Sequence, residues 1–237
     1  MIEYAKLTSK GEREYNEDCL DIKGDNNKFY FVLCDGLGAH GLGNVASQGA
    51  CDIYMENIES HSIEDTIEEI QKTLLREQER NGLFEKMKTT IVACVIENNH
   101  FKQIHLGDSR IYHFSKLRIL SQTRDHSICQ RLVDAHLIKK KDVRTHKDRN
   151  KLLEVLGANW LIEEPYITSE DKLKKFEAIL MCSDGFWEWI EEKDMLKCLR
   201  ASKTAEQWLK KMEEIVLLHG KGNHMDNYSA IAIFYRG

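Results

Sequence analysis

Four aspartates stand where an apolar run stops and the chain turns: Cys34-Asp35-Gly36, Gly107-Asp108-Ser109, Ser183-Asp184-Gly185 and Met225-Asp226-Asn227. A fifth segment, Asn16-Glu17-Asp18, puts two carboxylates just ahead of a short strand. Any one of these has an ordinary explanation, since Asp and Gly are the usual residues of turns. Their repetition points further. Asp35 and Asp184 directly follow FYFVLC and AILMCS, runs that suit central strands and would deliver both carboxylates to one end of a sheet. Like charges held close together are costly. A bound hard cation offsets that cost, and oxygen ligands with retained water suit Mg²⁺ or Mn²⁺ rather than Zn²⁺. Two such ions roughly 3.5–4 Å apart, sharing Asp35, would activate a water for in-line attack on phosphorus. Gly36 would let a backbone carbonyl come close to a metal. Arg13 precedes Glu17 by four residues, and its planar fork matches a phosphoryl group. The other reading is a surface arginine paired with Glu12, Glu14 or Glu17. Spacing alone does not choose between them.

These turns need strands to position them. Apolar, β-branched and aromatic runs predict strands at Phe29–Cys34, Thr90–Ile96, Gln103–Leu106, Arg110–Phe114, Ala178–Cys182 and Ser229–Tyr235, with shorter ones at Ile2–Leu7, Cys19–Ile22 and Leu117–Leu120. Many are apolar on both faces, as strands buried between other layers should be. Helical spacing predicts one helix through Ile63, Ile67, Ile70 and Leu74 and another through Trp208, Leu209, Met212, Ile215 and Val216. A third follows the glycines at 41 and 43 and runs to about Asn57, and a fourth starts near His126 behind Asp125 as a cap. Strand pairs separated by helix pairs give an α+β layering. Periodicity does not say whether the core is one sheet or two.

Composition narrows the setting. The 237 residues suffice for one domain with a sizeable core, and a single proline with no Ser/Gly-rich stretch leaves no linker. A net charge of -5 excludes the footprint of a general nucleic-acid binder. The start, MIEYAKLTSKGERE, lacks the apolar run of a signal peptide, and no segment approaches the roughly 18 apolar residues that cross a bilayer. Seven cysteines without CxxC spacing indicate neither a disulfide framework nor a zinc site, and none precedes an arginine at the spacing of a thiolate phosphatase loop. Cys34, Cys51, Cys94 and Cys182 lie among apolar residues as small hydrophobes. A soluble protein of a reducing cytoplasm, without membrane or nucleic-acid partners, is the simplest reading.

With these segments assembled, the chain resembles the metal-dependent protein phosphatase family, type 2C, and its compact bacterial members in particular. GEREYNED resembles the family's opening Arg-x-x-x-Glu-Asp block, and CDGLGAHGLGNVAS its Asp-Gly-x-Gly-Gly-His block. KTTIVACVI, LGDSRIYHF, LSQTRDHSICQRLVDAHLI, NKLLEVLG, CSDGFWEWI and DNYSAIAIF follow in the family's order. The resemblance implies a single domain over residues 1–237: a four-layer α-β-β-α sandwich, with a central antiparallel β-sandwich flanked by helix pairs and a flap at about 125–157 beside the active site. It implies two Mn²⁺ or Mg²⁺ ions and room for a third. Asp35 would bridge two metals, Asp184 and Asp226 would complete the first site, and the Gly36 carbonyl would serve the second. Glu17 and Asp18 match positions that contact the second metal directly or through its waters, Asp108 matches the third-metal position, and Arg13 matches the residue that grips substrate phosphate. His40 matches the loop histidine, a catalytic acid–base candidate or a structural hydrogen-bonder. Leu37 departs from the histidine of many eukaryotic members, and Ala39 and Lys88 stand where glycine is usual. The activity implied is hydrolysis of phosphoserine and phosphothreonine in proteins phosphorylated by a serine/threonine kinase, by a monomer. A metallophosphatase of small esters and a silent sensor or adaptor are the alternatives. The basic stretch LIKKKDVRTHKDRNK is read either as a solvated helix face or as a cationic rim for acidic phosphorylated segments.

Overall fold

The structure is a computed structural model that describes residues 1–25, 27–38 and 42–237. Two antiparallel sheets form its centre. The first runs in the order β1 (Ile2–Ser9), β11 (Tyr228–Tyr235), β10 (Ala178–Cys182), β7 (Arg110–Phe114), β8 (Ile119–Gln122). The second runs β2 (Asp18–Gly24), β3 (Lys28–Leu37), β5 (Ile91–Glu97), β6 (His100–Leu106), β9 (Ile167–Lys172), with the short β4 (Lys88–Thr89) paired to the end of β3. Helices α1 (Leu42–Asn57) and α2 (Ile63–Asn81) cover the second sheet. On the outer face of the first lie α4 (Asp184–Trp187), α5 (Glu192–Arg200) and α6 (Ala205–Gly220). The short α3 (Ile128–Asp134) and a 3-10 turn, Lys140–Thr145, belong to the segment between β8 and β9.

Strand alternation explains why the runs looked apolar on both faces. Along β3, Tyr30, Val32 and Cys34 face the helices, while Phe31 and Leu33 face the other sheet. Along β10, Ala178, Leu180 and Cys182 pack under the helices, and Ile179 and Met181 turn inward. Three apolar layers result, one between the sheets and one beneath each helix pair. All four cysteines read as hydrophobes are buried, and all seven are free.

Each strand expected from the sequence is present, with ends displaced by at most three residues. Two were not anticipated. β9 reads ITSEDK and is exposed along its whole length, so it carries no burial pattern; β4 is only two residues long. The fourth helix starts later than expected. Its cap is Ser127, whose hydroxyl accepts the Gln130 N–H at 3.1 Å. Asp125 is instead taken by Arg110, which donates to both its oxygens at 2.8 and 2.7 Å inside the protein.

Candidate active site

The acidic turns converge at one end of the sandwich, around a cleft of about 480 Å³. Glu17 and Asp18 lie at the start of β2 and Asp35 near the end of β3, in the second sheet. Asp184 follows β10 and Asp226 precedes β11, in the first. Asp108 sits in the turn that carries the chain from β6 in one sheet to β7 in the other. Arg13, Glu17, Asp35, Gly36, Asp108, Asp184 and Asp226 all line the cleft. Asp18 does not; it is buried behind the wall as the register partner of Asp35. His40 lies outside the described residues.

Neighbouring polar groups fix these carboxylates. The Asp35 N–H donates to Thr90 Oγ1 at 3.1 Å, and its carbonyl accepts from the Thr90 N–H at 2.8 Å and from Thr89 Oγ1 at 2.9 Å. Thr90 Oγ1 in turn meets Ser109 Oγ at 2.8 Å, joining this strand to the turn that holds Asp108. Ser183 Oγ donates to Asp18 Oδ2 at 2.9 Å. The Asp108 carbonyl accepts Trp187 Nε1–H at 3.0 Å, and Arg110 lies over the Trp187 ring at 3.4 Å. Gly36 is required by packing as well as by any ligand, because a Cβ there would collide with the Gly43 and Glu17 carbonyls.

Electrostatically the cluster is strained. Burial, then the charges of Asp18, Asp184, Asp108 and Asp226, push the Asp35 carboxyl well above its usual range. Burial and Asp184 do the same to Asp108. Asp18 is pushed up to about 7, chiefly by burial, and Asp184 to about 6 by burial and Asp226. Arg13 relieves part of this. Its Nε donates to Asp226 Oδ1 at 2.8 Å and its Nη2 to Asp226 Oδ2 at 2.6 Å. The glutamates beside it in sequence, which the spacing had offered as partners, are not its partners here.

Two buried oxygens at the site, Glu17 Oε1 and Asp18 Oδ1, have no hydrogen-bond partner among the described residues. Unpartnered carboxylate oxygens in a crowd of like charge suit a hard cation. Among the described residues no three His, Cys, Asp or Glu side chains form a ready-made ligand cage. Mg²⁺-like ions do not demand one, since they retain waters and use few protein carboxylates. The donor set therefore fits.

The segment between β8 and β9 closes one side of the cleft through Asn150 and Leu152. Its basic run is neither a free helix face nor wholly a rim. Arg144 donates to the Trp187 and Ile190 carbonyls at 3.0 and 3.1 Å and pairs with Glu192 at 3.0 Å. Arg149 Nε meets Glu188 Oε1 at 2.8 Å. The arginines thus pin this segment to the turn that carries Asp184. At its far end, Gln71 and Gln78 of α2 hold Gly157 by three hydrogen bonds to backbone of 157 and 158, at 2.7 Å each. Sequence reading missed the parts played by Glu12, Tyr15, Asn150, Trp187, Glu188 and Asn227. Only Asn227, adjacent to a turn aspartate, carried a local signal.

Comparison with known proteins settles the family. The protein phosphatase 2C description matches residues 10–221. The chain belongs to the protein phosphatase 2C family. It is 28% identical over 219 residues to the serine/threonine phosphatase stp of Listeria monocytogenes, covering 84% of each chain. The crystal structure of serine/threonine phosphatase Stp1 from Staphylococcus aureus superposes with a TM-score of 0.89 at 26% identity, covering 100% of this chain and 96% of that one. The catalytic domain of the serine threonine protein phosphatase PstP, solved in complex with 2 manganese ions, has a TM-score of 0.84 over 100% of this chain and 99% of that one; its 22% identity speaks for the fold alone. The four-layer sandwich expected from the resemblance is the fold observed.

Proposed function

We propose that this protein phosphatase 2C-type enzyme is a metal-dependent protein serine/threonine phosphatase, a single catalytic domain that hydrolyses phosphoserine and phosphothreonine monoesters. The observation that carries the reading is the meeting of carboxylates from both sheets around one cleft, with a buried oxygen of Glu17 at its wall and one of Asp18 behind it unpartnered among the described residues, and an arginine fork at the rim. Asp35, Asp184 and Asp226 would hold one divalent ion, Mn²⁺ or Mg²⁺; Asp35, the Gly36 carbonyl, Glu17 and Asp18 a second, directly or through water; and Asp108 a third. When bound, such ions supply an activated water and neutralise charge on the phosphoryl group. Arg13 binds and orients the phosphate, exchanging the carboxylate of Asp226 for phosphoryl oxygens. His40 is a candidate proton carrier. Asn150 and Leu152 bound the cleft on the flap side, where a peptide flanking the phosphorylated residue would pass. The substrates are proteins phosphorylated by a serine/threonine kinase, and the enzyme acts as a cytoplasmic monomer. Among the described residues no helix is long and apolar enough to cross a membrane.

The test is steady-state hydrolysis of phosphoserine, phosphothreonine and phosphotyrosine peptides and of a sugar phosphate, with Mn²⁺ and in excess chelator. Turnover should require the metal and favour the first two by kcat/KM. Full turnover after exhaustive metal removal, or a preference for the sugar phosphate, would sink the reading.

A further inference from the structure

The segment that carries Arg13 and the segment that carries Asp226 are fastened to each other in both directions. From the first, the Glu12 carboxylate accepts the Gly222 N–H at 2.6 Å and the Met225 N–H at 3.1 Å. The Glu12 N–H donates to the Met225 carbonyl at 2.9 Å. From the second, the buried Asn227 amide returns three bonds. Its oxygen accepts the Glu17 N–H at 2.8 Å, and its NH₂ donates to the Lys10 and Tyr15 carbonyls at 2.9 and 2.8 Å. Gly11 lies at the contact with positive φ, where a Cβ would collide with the Asp226 carbonyl. The backbone is therefore held immediately before Arg13 and again shortly after it.

We propose that Glu12 and Asn227 are positioning residues that orient Arg13 for substrate phosphate. The inference rests on the reading of Arg13 as the phosphate-binding residue. Glu12 does not line the cleft and its carboxylate is engaged with backbone, so it acts through its neighbour and not on substrate. A long arginine side chain loses conformational freedom when it grips an anion. Anchoring its backbone on both sides removes part of that loss beforehand and keeps the fork aimed at the cleft.

The experiment compares Glu12→Ala, Glu12→Gln, Arg13→Ala and the Glu12→Ala/Arg13→Ala double variant on one phosphoserine peptide at saturating Mn²⁺. Calorimetric Mn²⁺ titration and thermal melts accompany the kinetics. Glu12→Ala should raise KM about fivefold, the order of one net hydrogen bond, with kcat and Mn²⁺ affinity retained. Glu12→Gln should recover part of the loss, since its amide oxygen still accepts one N–H. The double variant should be no worse than Arg13→Ala, because the effect of Glu12 passes through Arg13. Asn227→Ala should show the same non-additivity in KM against Arg13→Ala once Mn²⁺ is saturating, any effect through its bond to the Glu17 N–H appearing separately in the Mn²⁺ titration. Additive losses would overturn the proposal, and so would a Glu12→Ala defect confined to Mn²⁺ affinity or melting. If Arg13→Ala itself leaves KM and kcat intact, the phosphate role of Arg13 fails, and the positioning role fails with it. That outcome is recognisable because the single Arg13 variant reports it alone.

Discussion

Arg13 faces a choice of anions. Its fork donates to both oxygens of Asp226, a residue 213 positions away, and on the proposed reading a phosphoryl group entering the cleft would compete for the same donors. Sequence spacing offered only the neighbouring glutamates, because no local pattern reports which distant turn a loop will meet. Arg13→Ala should weaken the hold on inorganic phosphate by about 1.5–3 kcal/mol, the range for charge-assisted hydrogen bonds, measured as the inhibition constant of phosphate. The same change removes a cation beside Asp226, so Mn²⁺ should bind the variant more tightly than the wild type in a calorimetric titration. A second residue outside the site offers a pH test. Burial, with the nearby His126 adding to it, lowers the pKa of His105 to about 4. Its Nε2–H donates to the Arg124 carbonyl at 2.9 Å. Between about pH 6.5 and 4 the unfolded chain binds this proton and the folded one does not, so stability falls as pH drops through that window and is fully present above it. The contribution lost is on the order of 3 kcal/mol for a pKa lowered to about 4. It should appear as a pH-dependent difference in unfolding free energy between wild type and His105→Gln. The His105 ring proton should titrate near pH 4 by NMR.

At the scale of elements, legibility followed burial. β7 and β10 match their expected ends because every residue in them is buried: β10 is apolar throughout, and β7 is apolar but for Arg110 and His113, whose polar groups are met inside by Asp125 and Glu177. β9 left no trace for the opposite reason: it is an exposed edge strand whose charged Glu170, Asp171 and Lys172 suit an edge that must not pair further. α5 was missed because nine residues with three buried side chains give too short a periodic signal. In the segment between β8 and β9, neither charge nor spacing in the basic run distinguishes an arginine that faces water from one that meets backbone carbonyls, as Arg144 does. Arg144→Ala tests the pinning. It would strand two carbonyls and leave Glu192, among the described residues, with only the more distant Arg110 as an ion-pair partner, 4.0 Å away. A loss of about 2 kcal/mol is expected, together with faster limited proteolysis within 134–155, whereas Lys147→Ala should change neither.

For the whole molecule, the question periodicity left open was whether the core is one sheet or two. Strands apolar on both faces fit either arrangement, and only the resemblance carried by the ordered motifs chose the sandwich. The motifs also supplied the candidate site residues, yet no motif shows that Asp18 lies behind the cleft wall with one oxygen unpartnered among the described residues. Division of the acidic residues between the sheets has a further effect. Glu17, Asp18 and Asp35 move with one sheet and Asp184 and Asp226 with the other, the two joined by an apolar layer and, at this end, by a few polar bonds such as Ser183 Oγ to Asp18 Oδ2 and Glu17 N–H to Asn227 Oδ1. Without cations, the mutual repulsion of these carboxylates presses the sheets apart at this end. Ions shared across the seam would reverse the sign of that force. Mn²⁺ at a hundredfold excess over its Kd should add about 2.7 kcal/mol to unfolding, read by denaturant titration, and Asp35→Asn should forfeit most of it. The kinetic counterpart is that opening the sandwich must release the ions first, so the gain should fall on the unfolding rate and leave the refolding rate nearly unchanged. Such a protein would lose its native state slowly when loaded and quickly when stripped, its lifetime set by metal supply.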